Sequence, residues 1–246
     1  MRSLCAIARL VHVLVHIFGG WLIIRLRFPG WSQERRNARV QSWQRRMLEI
    51  LGIGLVLHGQ PPAAGPVLLV ANHLSWLDIL VLHAARHCRF VSKSEIRHWP
   101  VLGTLSTGSG TLYIEREKRR DAMRVVHHVA ESLQAGDVVA VFPEGTTGDG
   151  RELLPFHANL IQAAISAHAP VQPVGLRFVD VATGEDSTAP LYVGDDTLVG
   201  SLWRTLAGRP FVAHVRFGAV QLAQGRDRRE WASDLRESVD RLRRTS

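Results

Sequence analysis

The sequence predicts an α/β domain built on one mainly parallel, buried sheet flanked by helices, with a basic two-helix hairpin before it. From residue 53 onward, short apolar runs alternate with amphipathic segments, which is typical of α/β folds. The apolar runs lack a polar residue at every second position, so we expect their strands to be buried on both faces. The first 52 residues differ, because they combine the most apolar segment of the chain with a cluster of arginines.

The hairpin begins with an apolar segment of 15 residues, 10–24, bordered by Arg9 and Arg25. A helix that spans a membrane needs about 20 apolar residues, so we expect interfacial or re-entrant insertion, with a short or tilted span and an ordinary buried core helix as the alternatives. Residues 31–52 predict a second helix with an incomplete apolar stripe, for which Ser32 is the expected N-cap. A Phe-Pro-Gly sequence at residues 28–30 separates the two helices.

The positive charge of the chain is concentrated in this hairpin. The net charge is +8, and the first 50 residues contain nine arginines but only two acids. A nucleic-acid-binding domain usually has its basic residues on the folded body, so no nucleic-acid partner is expected. Arginines beside an apolar helix instead favour contact with anionic lipid headgroups, at roughly 1 kcal/mol each. We therefore expect a membrane-associated hairpin over residues 1–52 and an α/β domain over residues 53–246.

The domain elements are predicted in chain order from the apolar runs and the helical periodicity. The predicted strands are residues 53–59, 66–72, 88–93, 110–116, 137–145, 170–179 and 210–220. The predicted helices are residues 75–87, 119–136, 157–169 and 227–244. Residues 180–190 are expected to form an exposed loop.

A histidine and an aspartate follow the second predicted strand. Ser75 and Asp78 have the S-x-x-D spacing of a capping box, so we expect the helix to start at Ser75. From the first turn, Asp78 can accept a hydrogen bond from one ring nitrogen of His73 and leave the other nitrogen free as a base. The structural alternative is that Asp78 only caps the helix and His73 is an ordinary loop residue.

Polar side chains follow three other predicted strands as well. Lys93 and Glu95 come after one strand, and Arg116 ends another, where a guanidinium can bind an anion. Glu144 lies in a glycine-rich loop that can bring backbone N–H groups close to a ligand oxygen. Because the carboxyl ends of parallel strands meet at one edge of a sheet, these groups are expected to lie near His73.

Four short sequence motifs, here called blocks, follow one another along the chain. They are N-H-x4-D at residues 72–78, G-x-x-[FY]-I-x-R at 110–116, F-P-E-G-T at 142–146 and V-x-P-V at 171–174. Together they resemble the glycerolipid acyltransferase family, in particular its 1-acylglycerol-3-phosphate acyltransferases. The resemblance covers residues 66–178, and the basic N-terminal helices fit it. It implies a glycerolipid-acyltransferase-like domain on the cytoplasmic face of the inner (plasma) membrane.

The resemblance also implies roles for individual residues. His73 would be the general base that removes a proton from the hydroxyl of a membrane lysophospholipid, and Asp78 would orient His73. The hydroxyl would then attack an acyl thioester of coenzyme A or acyl carrier protein, a co-substrate, so no cofactor and no metal are expected. The acceptor would be 1-acylglycerol-3-phosphate and the product phosphatidic acid. The implied substrate-binding residues are Lys93, Gly110, Arg116, Glu144, Gly145, Thr146, Thr147 and Pro173.

One position departs from the family pattern. The third block commonly reads E-G-T-R, with the arginine linked to the acceptor phosphate, whereas this chain has Thr147 there. Arg151 is the nearest cation that could replace it. E-G-T-T forms also resemble acyltransferases that act on lyso-ornithine lipid, whose headgroup has no glycerol phosphate. Lyso-ornithine lipid is therefore the alternative acceptor.

Other classes of function fit the sequence less well. His83 and His87 stand four residues apart on a predicted helix, but no third metal ligand follows, so a metallohydrolase is disfavoured. No serine lies in a G-x-S-x-G motif, as a serine hydrolase requires. A non-catalytic membrane-binding module would explain the hairpin but leaves the four polar blocks unexplained.

Overall fold

The residues described in the computed structural model, 2–114 and 119–245, form seven strands and eight α-helices. The strands are β1 Gly54–His58, β2 Val67–Ala71, β3 Arg89–Lys93, β4 Leu112–Ile114, β5 Val138–Val141, β6 Val171–Asp180 and β7 Phe211–Phe217. The helices are α1 Arg2–Leu26, α2 Gln33–Leu51, α3 Leu77–Ala85, α4 Leu102–Gly108, α5 Arg119–Gln134, α6 Ala158–Ser166, α7 Leu198–Ala207 and α8 Arg228–Arg244. Short 3₁₀ helices occur at Phe28–Gly30 and Ser94–His98.

The strands form one sheet in the order β1-β7-β6-β2-β5-β3-β4. Among the described strand pairs, β6 and β7 pair antiparallel and all other neighbours pair parallel. The prediction of a mainly parallel, buried sheet is therefore confirmed. The carboxyl ends of β2, β3, β4 and β5 consequently lie at one edge, which brings together the segments that follow these strands.

Two apolar layers enclose the sheet. One layer contains Leu48 and Leu51 from α2 and Leu77 from α3, with Val13 from α1. The other layer contains side chains from α5, α6 and α8, including Trp231. Every residue of β2 is buried, which explains its uninterrupted apolar sequence. The first layer joins the N-terminal helices to the α/β body across the predicted boundary after residue 52.

Three helical features differ from the sequence-based expectation. Helix α3 begins at Leu77 rather than at Ser75, because Asp78 accepts from the Ser75 backbone N–H while the Ser75 hydroxyl accepts from the Leu77 N–H. Helices α4 and α7 were not predicted. The residues of α4, LGTLSTG, are mostly poor helix formers, so local propensity gives little signal there.

Helix α1 is longer than the predicted 15-residue apolar segment. It has 25 residues, and its part Ser3–Leu26 is long and apolar enough to cross a membrane by length and composition. It packs along α2, α4 and α7, with the ring of His16 stacked on Trp43 of α2. The opposite face of α1 exposes apolar side chains at helical spacing, namely Leu4, Ile7, Val11, Leu14, Val15 and Phe18.

Candidate active site

His73 and Asp78 form a hydrogen-bonded pair at the carboxyl end of β2. The Nδ1 atom of His73 lies 2.8 Å from Oδ2 of Asp78. The imidazole is 19% exposed and the carboxylate is completely buried. The Nε2 atom of His73 makes no hydrogen bond with any residue in the described part of the chain. The arrangement can act as a base, because the carboxylate holds the proton on Nδ1 and leaves the Nε2 lone pair free.

The Asp78 carboxylate is held by the backbone of the turn before α3. Its Oδ2 atom accepts hydrogen bonds from the N–H groups of Leu74, at 2.6 Å, and Ser75, at 2.8 Å. A buried carboxylate needs such donors, since burial without them would cost several kcal/mol. The same turn therefore positions both members of the pair, which stand five residues apart.

Two residues after β5 hold His73 from the other side. The ring of Phe142 stacks on the imidazole, with centroids 4.0 Å apart. Glu144 accepts the backbone N–H of His73 on Oε1, at 2.8 Å, and the N–H of Leu154 on Oε2, at 2.9 Å. Burial raises the pKa of Glu144, and the two N–H bonds oppose that rise. Glu144 thus ties the β5 loop to the histidine backbone.

The loop after Glu144 approaches the same residue. The Gly148 N–H donates to the His73 carbonyl at 2.8 Å. Gly145 has a φ of +72°, and a Cβ there would lie 3.0 Å from the His157 ring, so glycine is required for this turn. Thr146 is exposed, whereas the Thr147 hydroxyl donates to the carbonyl of Tyr192.

Asn72 joins the end of β2 to β6. Its side-chain Nδ2 donates to the Leu176 carbonyl at 3.0 Å, and its Oδ1 accepts the Leu176 N–H at 2.7 Å. Asn72 is fully buried, so both bonds form away from water. The side chain extends the β2–β6 ladder by one step and fixes the backbone directly before His73. An asparagine at the end of a fully apolar strand is the sequence signal for such a link.

The other predicted site residues occupy different positions in the sheet. Lys93 ends β3 at the same sheet edge and is exposed. Gly110 precedes β4 at the opposite edge, where its carbonyl accepts from Arg89, so the structure does not bring it to His73. Pro173 is buried in β6 beside Val70. Arg116 lies outside the described residues.

An apolar cavity of about 490 Å³ lies beneath α3 and between the N-terminal helices. Trp76, three residues after His73, lines it, and α1 and α4 contribute Ile24 and Leu105. Gln44 and His83 are among the few polar side chains that line this cavity. The volume and the apolar lining suit a hydrocarbon chain.

His83 lies on α3, whereas His87 follows the end of that helix. His83 is buried, and desolvation lowers its pKa to about 3, while its ring packs edge-on against Phe90. The described residues contain no group of three histidine, cysteine, aspartate or glutamate side chains placed to hold a metal ion.

Comparison with known proteins identifies the family of this chain. Residues 55–177 match the family model described as Acyltransferase. The chain is 40% identical over 213 residues to a 1-acyl-sn-glycerol-3-phosphate acyltransferase of Neisseria meningitidis, covering 85% of this chain and 82% of that protein. It is 35% identical over 242 residues to a lyso-ornithine lipid O-acyltransferase of Pseudomonas aeruginosa, covering 97% and 92%.

A solved structure shows the same fold. The crystal structure of the 1-acyl-sn-glycerophosphate acyltransferase PlsC from Thermotoga maritima matches with a TM-score of 0.73 at 21% identity. The match covers 98% of this chain and 95% of that one, so the fold is shared over the whole length, including the N-terminal helices. With the family model and the relatives above, these matches show that the chain belongs to the acyltransferase family and is an acyltransferase.

Proposed function

We propose that this acyltransferase moves a fatty acyl group from a thioester of coenzyme A or acyl carrier protein to the free hydroxyl of 1-acylglycerol-3-phosphate, giving phosphatidic acid. The observation on which this proposal depends is the His73–Asp78 pair, in which Nδ1 is bonded and Nε2 is free. The names of the relatives support a lysolipid as the acceptor.

The reaction needs a general base and hydrogen-bond donors that stabilise the oxyanion of the tetrahedral intermediate. Nε2 of His73 takes the proton of the acceptor hydroxyl, and the resulting oxygen attacks the thioester carbonyl. The tetrahedral intermediate collapses by breaking the C–S bond. Protonated His73 then donates its proton to the departing thiolate, which leaves as the thiol. The backbone N–H groups of Thr146 and Thr147 donate to no acceptor among the described residues, so they are our candidates for binding the oxyanion.

The apolar cavity next to Trp76 is suited to bind the acyl chain of the donor. It is lined almost entirely by apolar side chains, and Trp76 is only three residues from His73. Burial of the chain would contribute about 0.8 kcal/mol for each methylene group. The thioester carbonyl would then lie at the cavity mouth, within reach of an oxygen activated by His73.

A specific observation favours lyso-ornithine lipid as a second candidate acceptor. Thr147 stands where the family commonly has an arginine, and its hydroxyl is used on the Tyr192 carbonyl. Arg151 lies nearby, but its side chain is 89% exposed and 3.7 Å from Asp149. The site therefore has one cation fewer for a phosphate, and a relative with that acceptor aligns over 97% of the chain.

We infer that α1 lies in the membrane interface at the cytoplasmic face rather than across the bilayer. Its inner face packs along α2, which exposes Arg35, Arg45 and Arg46, and its outer face is apolar. A spanning position would carry the α2 arginines into the bilayer, at about 2.5–3.5 kcal/mol each near its centre. In the interface, the same arginines can contact anionic headgroups.

Thiol release from palmitoyl-coenzyme A by detergent-solubilised protein tests the proposal. Parallel reactions contain lysophosphatidate or lyso-ornithine lipid, and palmitoyl-acyl carrier protein is the second donor. We expect turnover with lysophosphatidate, and we expect His73→Ala to lower the rate by about 10²–10⁴-fold with an unchanged fold. A His73→Ala rate equal to wild type would contradict the mechanism. Turnover with lyso-ornithine lipid but not with lysophosphatidate would contradict the proposal that 1-acylglycerol-3-phosphate is the acceptor.

A further inference from the structure

A second cavity, of about 770 Å³, lies between the N-terminal helices and α4. Gly110, which precedes β4, and Asp137, which precedes β5, both line it. These residues mark the amino-terminal edge of the sheet, whereas His73 follows the carboxyl end of β2. The five residues of β2 separate the two edges by about 16 Å at 3.3 Å per residue. The cavity is therefore separate from the candidate active site.

The cavity is strongly basic. Four arginines line it, Arg25, Arg36, Arg89 and Arg97, against one carboxylate, Asp137. Arg89 is neutralised by Asp137 at 2.6 Å. The other three have no ion pair with any residue of the described chain, although Arg25 and Arg97 lie near the rings of Trp21 and Tyr113. The wall thus presents three uncompensated positive charges.

One guanidinium nitrogen and one imidazole nitrogen in this wall lack a hydrogen-bond partner among the described residues. The Nε atom of Arg36 and the Nε2 atom of His87 are both inaccessible and make no hydrogen bond with the described residues. Burial lowers the pKa of His87 to about 4, so the arginines provide the positive charge at neutral pH. A buried guanidinium N–H without an acceptor is costly, and rotation of the Arg36 head group toward an anionic oxygen in the cavity would relieve that cost.

We propose that this cavity binds the phosphate group of an anionic membrane lipid. Arginine forks match phosphate oxygens in bidentate geometry, which suits Arg36 and Arg97. The position favours a lipid over a free anion, because Ile24 near the end of α1 and Phe28 in the following 3₁₀ helix line the cavity too. The exposed apolar face of α1 leads to this end of the helix, and Trp99, two residues after Arg97, is half-exposed.

The bound lipid is not the acyl acceptor. A phosphate held about 16 Å from the His73 edge cannot present its own glycerol hydroxyl to Nε2. The proposal rests on the membrane association inferred above, but it requires no acyl transfer. The proposal is that this cavity is a specific phosphate site, in addition to the general attraction between arginines and lipid headgroups.

Calorimetric titration of the full chain in neutral maltoside detergent tests this site. The probe is dihexanoyl phosphatidylglycerol, a soluble anionic lipid, for which we expect one-to-one binding. The double variant Arg36→Gln/Arg97→Gln should weaken binding at least tenfold. The matched pair Arg209→Gln/Arg229→Gln removes the same charge from exposed positions outside both the cavity and the N-terminal helices, and should change binding less than twofold.

Further titrations distinguish a lipid site in this cavity from general attraction between charges and from a site for free phosphate. Thr104→Glu places a carboxylate in the same wall from α4 and should also weaken binding at least tenfold, even if the double arginine variant does not fold. His73→Ala should bind as wild type does. Equal weakening by both arginine pairs, equal affinity for inorganic phosphate, or absence of binding by wild type would each overturn the proposal.

Discussion

Glu144 uses each of its carboxylate oxygens on a backbone N–H group, one of them that of His73. This contact predicts a positioning role for a glutamate to which the resemblance assigns substrate binding. The distinction is measurable, because a positioning residue affects the reacting geometry and a substrate ligand affects binding.

The variant Glu144→Gln tests this role. A glutamine has one acceptor oxygen, so one buried N–H loses its partner at a cost of about 1–3 kcal/mol, and His73 shifts. We expect kcat to fall at least tenfold with little change in the KM for the acceptor. The matched control is Glu152→Gln, an exposed residue of the same segment, which should leave both constants unchanged. A raised KM at unchanged kcat would instead assign Glu144 to acceptor binding.

At the scale of elements, one side chain extends the pairing of β2 and β6 beyond the strand ladder. Asn72→Ala leaves the N–H and carbonyl of Leu176 unsatisfied in the interior. We expect the free energy of unfolding in urea to fall by about 2–4 kcal/mol, because two buried backbone groups lose their partners. Asn159→Ala, at an exposed position on α6, should stay within about 0.5 kcal/mol of wild type. A loss of equal size in both variants would refute the link.

The close approach of α1 to Trp43 of α2 requires a glycine at position 20. A Cβ at Gly20 would lie 2.7 Å from Nε1 of Trp43, whereas a Cβ at the neighbouring Gly19 would have no atom within 4 Å. Gly20→Ala should therefore lower the unfolding temperature, since overpacking costs about 1–3 kcal/mol. Gly19→Ala should raise it slightly, because alanine is the better helix former by about 0.5–1 kcal/mol. An equal response of the two variants would contradict this packing.

At the scale of the whole molecule, the outward face of α1 is the expected membrane contact. Val15→Glu/Phe18→Glu places two charges on that face without touching the core. We expect at least a fivefold loss of sedimentation with vesicles that contain anionic lipid, because charges in the apolar interface are costly. The control Met123→Glu/Val181→Glu changes two exposed apolar residues elsewhere and should sediment as wild type. Equal losses would show that net charge alone governs binding.

The sequence predicted the sheet and the His73–Asp78 pair because both depend on short-range patterns. Apolar runs mark buried strands, and a spacing of five residues places a histidine beside a helix start. The contact of Glu144 with the His73 backbone spans 71 positions, so no local pattern indicates it. Likewise, Gly110 belongs to one of the four sequence blocks, but only the strand direction shows that it lies at the far edge of the sheet. The antiparallel direction of β7 is also a tertiary property.

Helix α1 contributes to the wall of the apolar cavity through Val13, Ile17 and Ile24. In the proposed function, the segment that faces the membrane is therefore also part of the site that binds the hydrocarbon chain. The membrane-contacting helix and the acyl-chain cavity therefore cannot be exchanged separately. A chimera that carried α1 of another protein would also have a different cavity lining. A change in membrane attachment and a change in acyl-chain preference would then arise from the same substitutions.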